Sequence, residues 1–273
     1  MGVFKERGVE IKTSEQIERM RVAGLVVAET LELLRKTVRP GMTTLELDQV
    51  AEDNIRSSGA TPSFKGYHGF TGSICVSVND EVVHGIPGDR VIQEGDVVSI
   101  DCGAIVDGWH GDAALTVAVG EIPDEARELM RVTEESMWRG FAAARLGGRV
   151  TDISHAVESY VREQGAFGII EDYVGHGIGS AMHQPPNVPN YGRPGRGPRL
   201  VEGLALAVEP MVVLGDQSTH VLPDDWTVKT DDGSLAAHFE HTFTLTPRGV
   251  WVLTALDGGE AKLAELGVPF GGS

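Results

Sequence analysis

Four carboxylates stand in stretches of this chain that otherwise read as buried strand. They are Asp101 in VVSIDCGAIV (97–106), Asp112 in WHGDAALT (109–116), Glu209 in LALAVEP (204–210) and Glu240 in AHFEHTFTLT (237–246). A fifth polar residue, His176, lies between Gly175 and Gly177, where missing side chains let other backbone approach closely. Carboxylates crowded into an apolar setting repel one another and hold protons unless a cation compensates them. Four carboxylates and one imidazole exceed what a single zinc needs and offer too few neutral donors for a structural zinc. They suit a pair of divalent cations bridged by carboxylates, of the Mn, Fe or Co kind. The chemistry of such a pair is metal-assisted hydrolysis, with a water of lowered pKa and a polarised carbonyl. His84, beside Gly85, and His183 remain as free imidazoles in Gly- or Pro-bounded loops, placed to hydrogen-bond a developing oxyanion or a leaving amide.

The elements that must position these residues start with residues 97–116. Val97, Val98 and Ile100 are β-branched and apolar, as a buried strand requires. Asp107-Gly108 is a two-residue hairpin signal, since both central turn residues need positive φ. With that turn, Asp112 lies opposite Gly103, and Asp101 is its diagonal neighbour on the same face, about 7–8 Å away. Further strands are expected at 73–78, 168–172, 204–210, 226–230, 237–246 and 250–254, with a weaker one at 219–222. The Pro-, Gly- and Arg-rich stretch 184–200 reads as a long loop.

Two helical pairs precede the two groups of strands. Ile17, Met20, Leu25, Val27, Leu31 and Leu34 give an apolar stripe at helical spacing to about residue 36. Thr43 or Thr44, with Glu46, caps a second helix that Gly59 stops. The pattern then returns: Met130-Arg131-Val132 repeats Met20-Arg21-Val22, and Gly165-Ala166 repeats Gly59-Ala60. This offset predicts a duplication of a helix–helix–sheet unit, about 14–122 and 123–254, within one catalytic domain spanning 1–273. The fold class expected is α+β: one mostly antiparallel sheet, two pairs of helices on one face, and a pseudo-twofold between the halves.

The 273 residues suffice for such a domain, and 41% of them are hydrophobic, so a substantial core is expected. A net charge of −17 argues against nucleic acid or an anionic membrane as a general partner. Cys75 and Cys102 are too few for a disulfide scaffold. The start of the chain has no apolar signal core, and no run reaches membrane-spanning length, so a reducing, cytoplasmic protein is expected.

In the motifs NDEVVHGIP (79–87), SIDCGAIVDGWHGDA (99–113), GHGIG with His183 (175–183), AVEPM (207–211), DDWTVKT (224–230) and FEHT (239–242), the chain resembles the type I methionine aminopeptidases of the duplicated pita-bread fold. The likeness covers about residues 14–254 and keeps the order of the motifs. It implies that two divalent metal ions (Co, Mn or Fe) are bound, Asp101 holding one, Asp112 and Glu240 bridging both, and His176 and Glu209 completing the other. It implies that Glu209 handles the proton of the bridging water, and that His84 and His183 contact the scissile peptide. It implies a methionine pocket lined by Tyr67, Phe70, Cys75 and Trp226, with Phe64 and Met182 at its rim. The substrates implied are nascent polypeptides or peptides with N-terminal Met and a small second residue. The ribosome is a candidate partner through the Arg-rich loop 192–200, and a monomer is the default. Phe64, standing where some members have a smaller residue, is expected to narrow the pocket mouth. A peptidase acting beside proline and a metal-free binding member of the same fold stay open as alternatives.

Overall fold

The computed structural model describes residues 8–272; residues 1–7 of the polar lead lie outside them. The chain opens on α1 (Ser14–Thr37) and α2 (Thr44–Ser57). Each is started by a reciprocal cap: Thr13 accepts from the Gln16 amide and Thr43 from the Glu46 amide, while the Gln16 and Glu46 side chains bond back to the cap amides. Helix α1 buries Ile17, Met20, Val27, Leu31 and Leu34. Side chains of this kind contribute about 1.5–3 kcal/mol each when fully buried.

The strands β1 (Thr61–Pro62), β2 (Ile74–Val78), β3 (Glu81–Val83), β4 (Val97–Val106) and β5 (Trp109–Ala118) follow. A second helical pair, α3 (Asp124–Ala143) and α4 (Val150–Gln164), leads to β6 (Gly168–Ile169), β7 (Gly175–Gly177), β8 (Gln184–Val188), β9 (Ala205–Val208) and β10 (Met211–Val213). The remaining elements are β11 (Thr219–Val221), β12 (Val228–Thr230), β13 (Ala236–His238), β14 (Glu240–Thr246), β15 (Gly249–Val252) and α5 (Glu260–Glu265).

The main sheet runs β1-β4-β5-β14-β9-β7-β8, with β2 also on β4 and β15 on β14. Two three-stranded sheets, β13-β10-β6 and β11-β12-β3, flank it. Every strand pair among the described residues is antiparallel. The core fills the space between helices and main sheet, from Val27 and Leu34 to Ile100, Phe141, Leu206 and Phe243. Among the described residues no helix is long and apolar enough to cross a membrane.

The β4–β5 hairpin matches its sequence expectation, with Asp107 at φ 49° and Gly108 at φ 80° in the turn and Gly103 opposite Asp112. Three expectations are corrected. The stretch 237–246 is not one strand: it breaks at Phe239, and β13 and β14 belong to different sheets. The stretch 184–200 is not all loop. Its first five residues form β8, and the rest is pinned to the start of α4 by Arg149 Nη1 to the Gly197 carbonyl (2.8 Å) and the Gly195 amide to Asp152 Oδ1 (2.8 Å). The strand expected at 168–172 shortens to two residues.

Candidate metal centre

One row of the main sheet organises the site. On four adjacent strands, Cys75 (β2), Asp101 (β4), Ala114 (β5) and Glu240 (β14) are direct cross-strand partners, so their side chains share one face. The small Ala114 leaves space between the carboxylates of Asp101 and Glu240. Asp112, two residues from Ala114, joins the same face, as the period of two requires. Glu209 follows directly on β9, whose Val208 pairs with His241, the neighbour of Glu240.

His176 enters from β7. A Cβ on Gly175 would stand 2.3 Å from the Ala207 carbonyl oxygen, and one on Gly177 2.3 Å from that of Pro185. Only glycine lets β9 and β8 close on both sides of the histidine. Its Nδ1 lies 3.0 Å from the Gly177 carbonyl, which assigns the proton to Nδ1 and frees Nε2 as a ligand. Nε2 is 3.5 Å from Glu209 Oε1 and 3.9 Å from Asp112 Oδ2.

Asp112, His176 and Glu240 are buried and Asp101 and Glu209 half-buried, and among the described residues no Lys or Arg forms an ion pair with them. Burial raises the pKa of Asp101; burial and the facing carboxylates raise those of Asp112, Glu209 and Glu240. His176 is pushed down to about 3, by burial first and His183 second. Asp101 Oδ1, Asp112 Oδ1 and Glu240 Oε1 are buried without any hydrogen-bond partner. Three orphaned carboxylate oxygens lining one cavity fit divalent cations, which would satisfy them and favour the ionised forms. Asp112, His176 and Glu240 present one ligand atom each within 4.8 Å of one another.

Against this cluster lies a cavity of about 180 Å3, lined on one side by Asp101, Asp112, His176, Glu209 and Glu240. The rest of the lining is mostly apolar: Phe64, Phe70, Cys75 and Met182 are buried in mutual contact, with Tyr67 and Trp226 packed on them. Every site residue expected from sequence lines this one cavity. Phe64 is 7% exposed, part of the packed wall.

His84 and His183 face in from opposite loops. His84 has φ 62°, a left-handed backbone that a non-glycine residue adopts only under constraint. It stands edge-on to Tyr173 and Trp226, and burial with His183 nearby pushes it down to about 4. The His183 ring stacks edge-on against His176 at 4.3 Å, and its Nδ1 is 2.8 Å from the Tyr67 hydroxyl. Burial lowers its pKa as well. His241 points to the helix side, bonded to Thr254, as the alternation along β14 predicts.

Two residues at the cavity or cluster escaped the sequence reading. His68, in the left-handed region at φ 48°, lines the cavity beside Tyr67. His238 sits at the cluster's base, and its signal was available: a polar residue two positions before Glu240, hence on the same face of a strand.

Comparison with known proteins agrees with this geometry. The model of metallopeptidase family M24 matches residues 18–247. A methionine aminopeptidase of Clostridium acetobutylicum is 55% identical over 245 residues, covering 89% of this chain and 98% of that protein. Methionine aminopeptidase 1 of Bacillus subtilis is 52% identical, with 89% and 98% covered. The crystal structure of methionine aminopeptidase from Thermotoga maritima superposes with a TM-score of 0.89 at 44% identity, covering 90% of this chain and 99% of that one. The X-Pro aminopeptidase of Thermotoga maritima superposes at 0.70 and 25% identity, and this chain spans 62% of it.

Proposed function

Since the chain belongs to metallopeptidase family M24, we propose that it is a type I methionine aminopeptidase, removing the initiator methionine from nascent proteins and peptides whose second residue is small. The observation that carries this reading is the row Cys75–Asp101–Ala114–Glu240, which sets an apolar, sulfur-lined cavity directly against a cluster of uncompensated carboxylates.

Asp101, Asp112, His176, Glu209 and Glu240 would together hold two divalent cations. Co, Mn and Fe all suit this donor set. Cations held there would supply a water of lowered pKa and a polarised scissile carbonyl. The chain's own residues do the rest. The methionine side chain lies among Phe64, Phe70, Cys75, Met182 and Trp226, with Tyr67 at the edge, where thioether–aromatic contacts add about 0.3–1.5 kcal/mol each. Glu209 takes the proton of the attacking water and passes it to the leaving amine. His183, its Nδ1 held by Tyr67, is left with Nε2 to donate to the developing oxyanion. His84, kept neutral by burial, hydrogen-bonds the scissile amide.

Three broader readings go with this one. The two helical pairs support a duplication about residues 14–122 and 123–254 within one catalytic domain. The duplication, which builds both halves of the cleft in one chain, supports a monomer, and the buried free thiols of Cys75 and Cys102 support a reducing cytoplasm. The exposed Arg193, Arg196 and Arg199 support docking at the ribosome.

The test is an assay of metal-depleted protein on Met-Gly-Met and Ala-Pro peptides with Mn, Fe(II), Co or Zn added back. Metal-dependent release of Met is expected. Cleavage only beside proline moves the chain to the prolyl branch of the family, and no cleavage with any metal leaves a binding protein.

A further inference from the structure

His238 has no part in the mechanism above, yet it is 1% exposed and its Nε2 has no hydrogen-bond partner. A buried nitrogen left unpaired is unfavourable, so its surroundings call for an explanation. Nε2 stands 3.9 Å from Glu209 Oε2 and 3.9 Å from Glu240 Oε2. The other oxygen of Glu209, Oε1, faces His176. Glu209 therefore lies between two imidazoles, one at each oxygen.

The topology makes this placement rigid. Two chain segments pass from the main sheet to the β13-β10-β6 sheet at this point, β9 to β10 through Glu209-Pro210 and β14 to β13 through Phe239. His238 pairs with Met211 across β10–β13. Its amide donates to Thr116 Oγ1 (2.9 Å), and that hydroxyl donates to its carbonyl (2.8 Å). The imidazole is thus aimed from a backbone fixed at both ends, on the same side as Glu240.

A separation of 3.9 Å is too long for a hydrogen bond to either carboxylate. It suits two donors on one ion, since bonds of about 2.1 Å place donors ~3–4.2 Å apart. Glu209, His238 and Glu240 offer one ligand atom each within 4.8 Å of one another, a group separate from Asp112, His176 and Glu240 except for the shared Glu240. We infer that His238 is a cation ligand, forming with Glu209 and Glu240 a further divalent-metal subsite at the base of the centre. A second imidazole moves the donor set toward Zn, Co or Fe and away from Mg and Ca. The inference rests on the metal centre proposed above.

Two measurements on the full chain test it. In crystals of the wild-type protein loaded with Zn, anomalous scattering is expected to show a peak bonded to His238 Nε2 at about 2.0–2.1 Å. In equilibrium dialysis with Co, His238→Gln is expected to hold one equivalent at least tenfold more weakly than wild type, with the other equivalents unchanged. Zn only at Asp101, Asp112 and His176, with His238→Gln binding Co like wild type, overturns the subsite and leaves the centre standing. A wild-type protein that binds neither metal overturns the centre and the subsite together. If His238→Gln does not fold, the anomalous peak alone decides.

Discussion

Cys75 and Asp101 are direct partners across the β2–β4 ladder. The thiol that lines the apolar cavity and the carboxylate at its metal-facing wall are side by side on one face, so substrate side chain and reacting bond are held by a single rigid row. Cys75 is 5% exposed, and burial with Asp101 and Asp112 nearby raises its thiol pKa well above the usual range. Its role in this reading is packing against the methionine side chain. Cys75→Ala is predicted to raise KM for Met-initiated peptides about fourfold, the worth of roughly one buried methylene. It is predicted to leave kcat and cation affinity unchanged. Steady-state kinetics with metal titration checks this, and a loss of bound metal would show that the thiol supports Asp101.

The Tyr67 hydroxyl lies 2.8 Å from Nδ1 of His183. If the phenol donates, the imidazole proton sits on Nε2, the tautomer able to donate to an oxyanion. Tyr67→Phe removes that selection and one neutral hydrogen bond worth about 1 kcal/mol. The predicted result is a drop in kcat on the order of tenfold with little change in KM. Metal content measured on the same preparation is expected to stay at the wild-type level. A rise in KM alone would assign Tyr67 to the pocket wall.

Much of this site was legible because local rules and the fold agree. The Asp107-Gly108 turn fixed the hairpin register, and period-two alternation then put Asp101 and Asp112 on one face. The first helix was legible from its apolar stripe and the second from its Thr43 or Thr44 cap with Glu46. Less legible was whatever depended on partners far along the chain. AHFEHTFTLT has the pattern of one strand, and only the competition of two sheets for it breaks it at Phe239. That break sets His238 apart from the main-sheet row while keeping it on the side of Glu240. Strand β8 was hidden by Pro185 and Pro186, which lack amide donors. It forms because β8 is an edge strand that pairs only with β7, through an irregular register at His176/Gly177.

Lys12 gives a pH prediction. Its side chain is 1% exposed, with Nζ 3.6 Å from Glu10 Oε2 and 3.1 Å from the Glu10 carbonyl. Burial lowers its pKa from 10.5 to about 8, with Glu10 opposing the shift. Below pH 8 both folded and unfolded chains carry the proton, and the burial penalty is present in full. Between about pH 8 and 10.5 only the unfolded chain holds it, so this group makes stability rise with pH. Lys12→Met removes the titration. The predicted difference between wild type and variant grows in favour of wild type by up to about 3 kcal/mol from pH 7.5 to pH 10.5. Urea midpoints at four pH values would measure it, and parallel curves would mean that Lys12 titrates normally.

The contact between α1 and β5 gives the last prediction. A Cβ on Gly111 would lie 2.7 Å from the Gly24 amide nitrogen and 2.8 Å from Gly24 Cα. Those are backbone atoms of a helix and cannot rotate away, so α1 or β5 has to shift. Overpacking of this kind costs about 1–3 kcal/mol. At 2–4 °C per kcal/mol in a domain of this size class, Gly111→Ala is predicted to lower Tm by roughly 2–12 °C. Asp112 is the next residue on β5, so the same shift moves a carboxylate of the proposed centre. Gly111→Ala is therefore predicted to weaken cation binding as well, whereas a substitution that only loosened the helix would not. Scanning calorimetry of the metal-depleted and metal-loaded variant separates the two: the gap in Tm between them is expected to shrink relative to wild type, and an unchanged gap would place the strain in α1 alone.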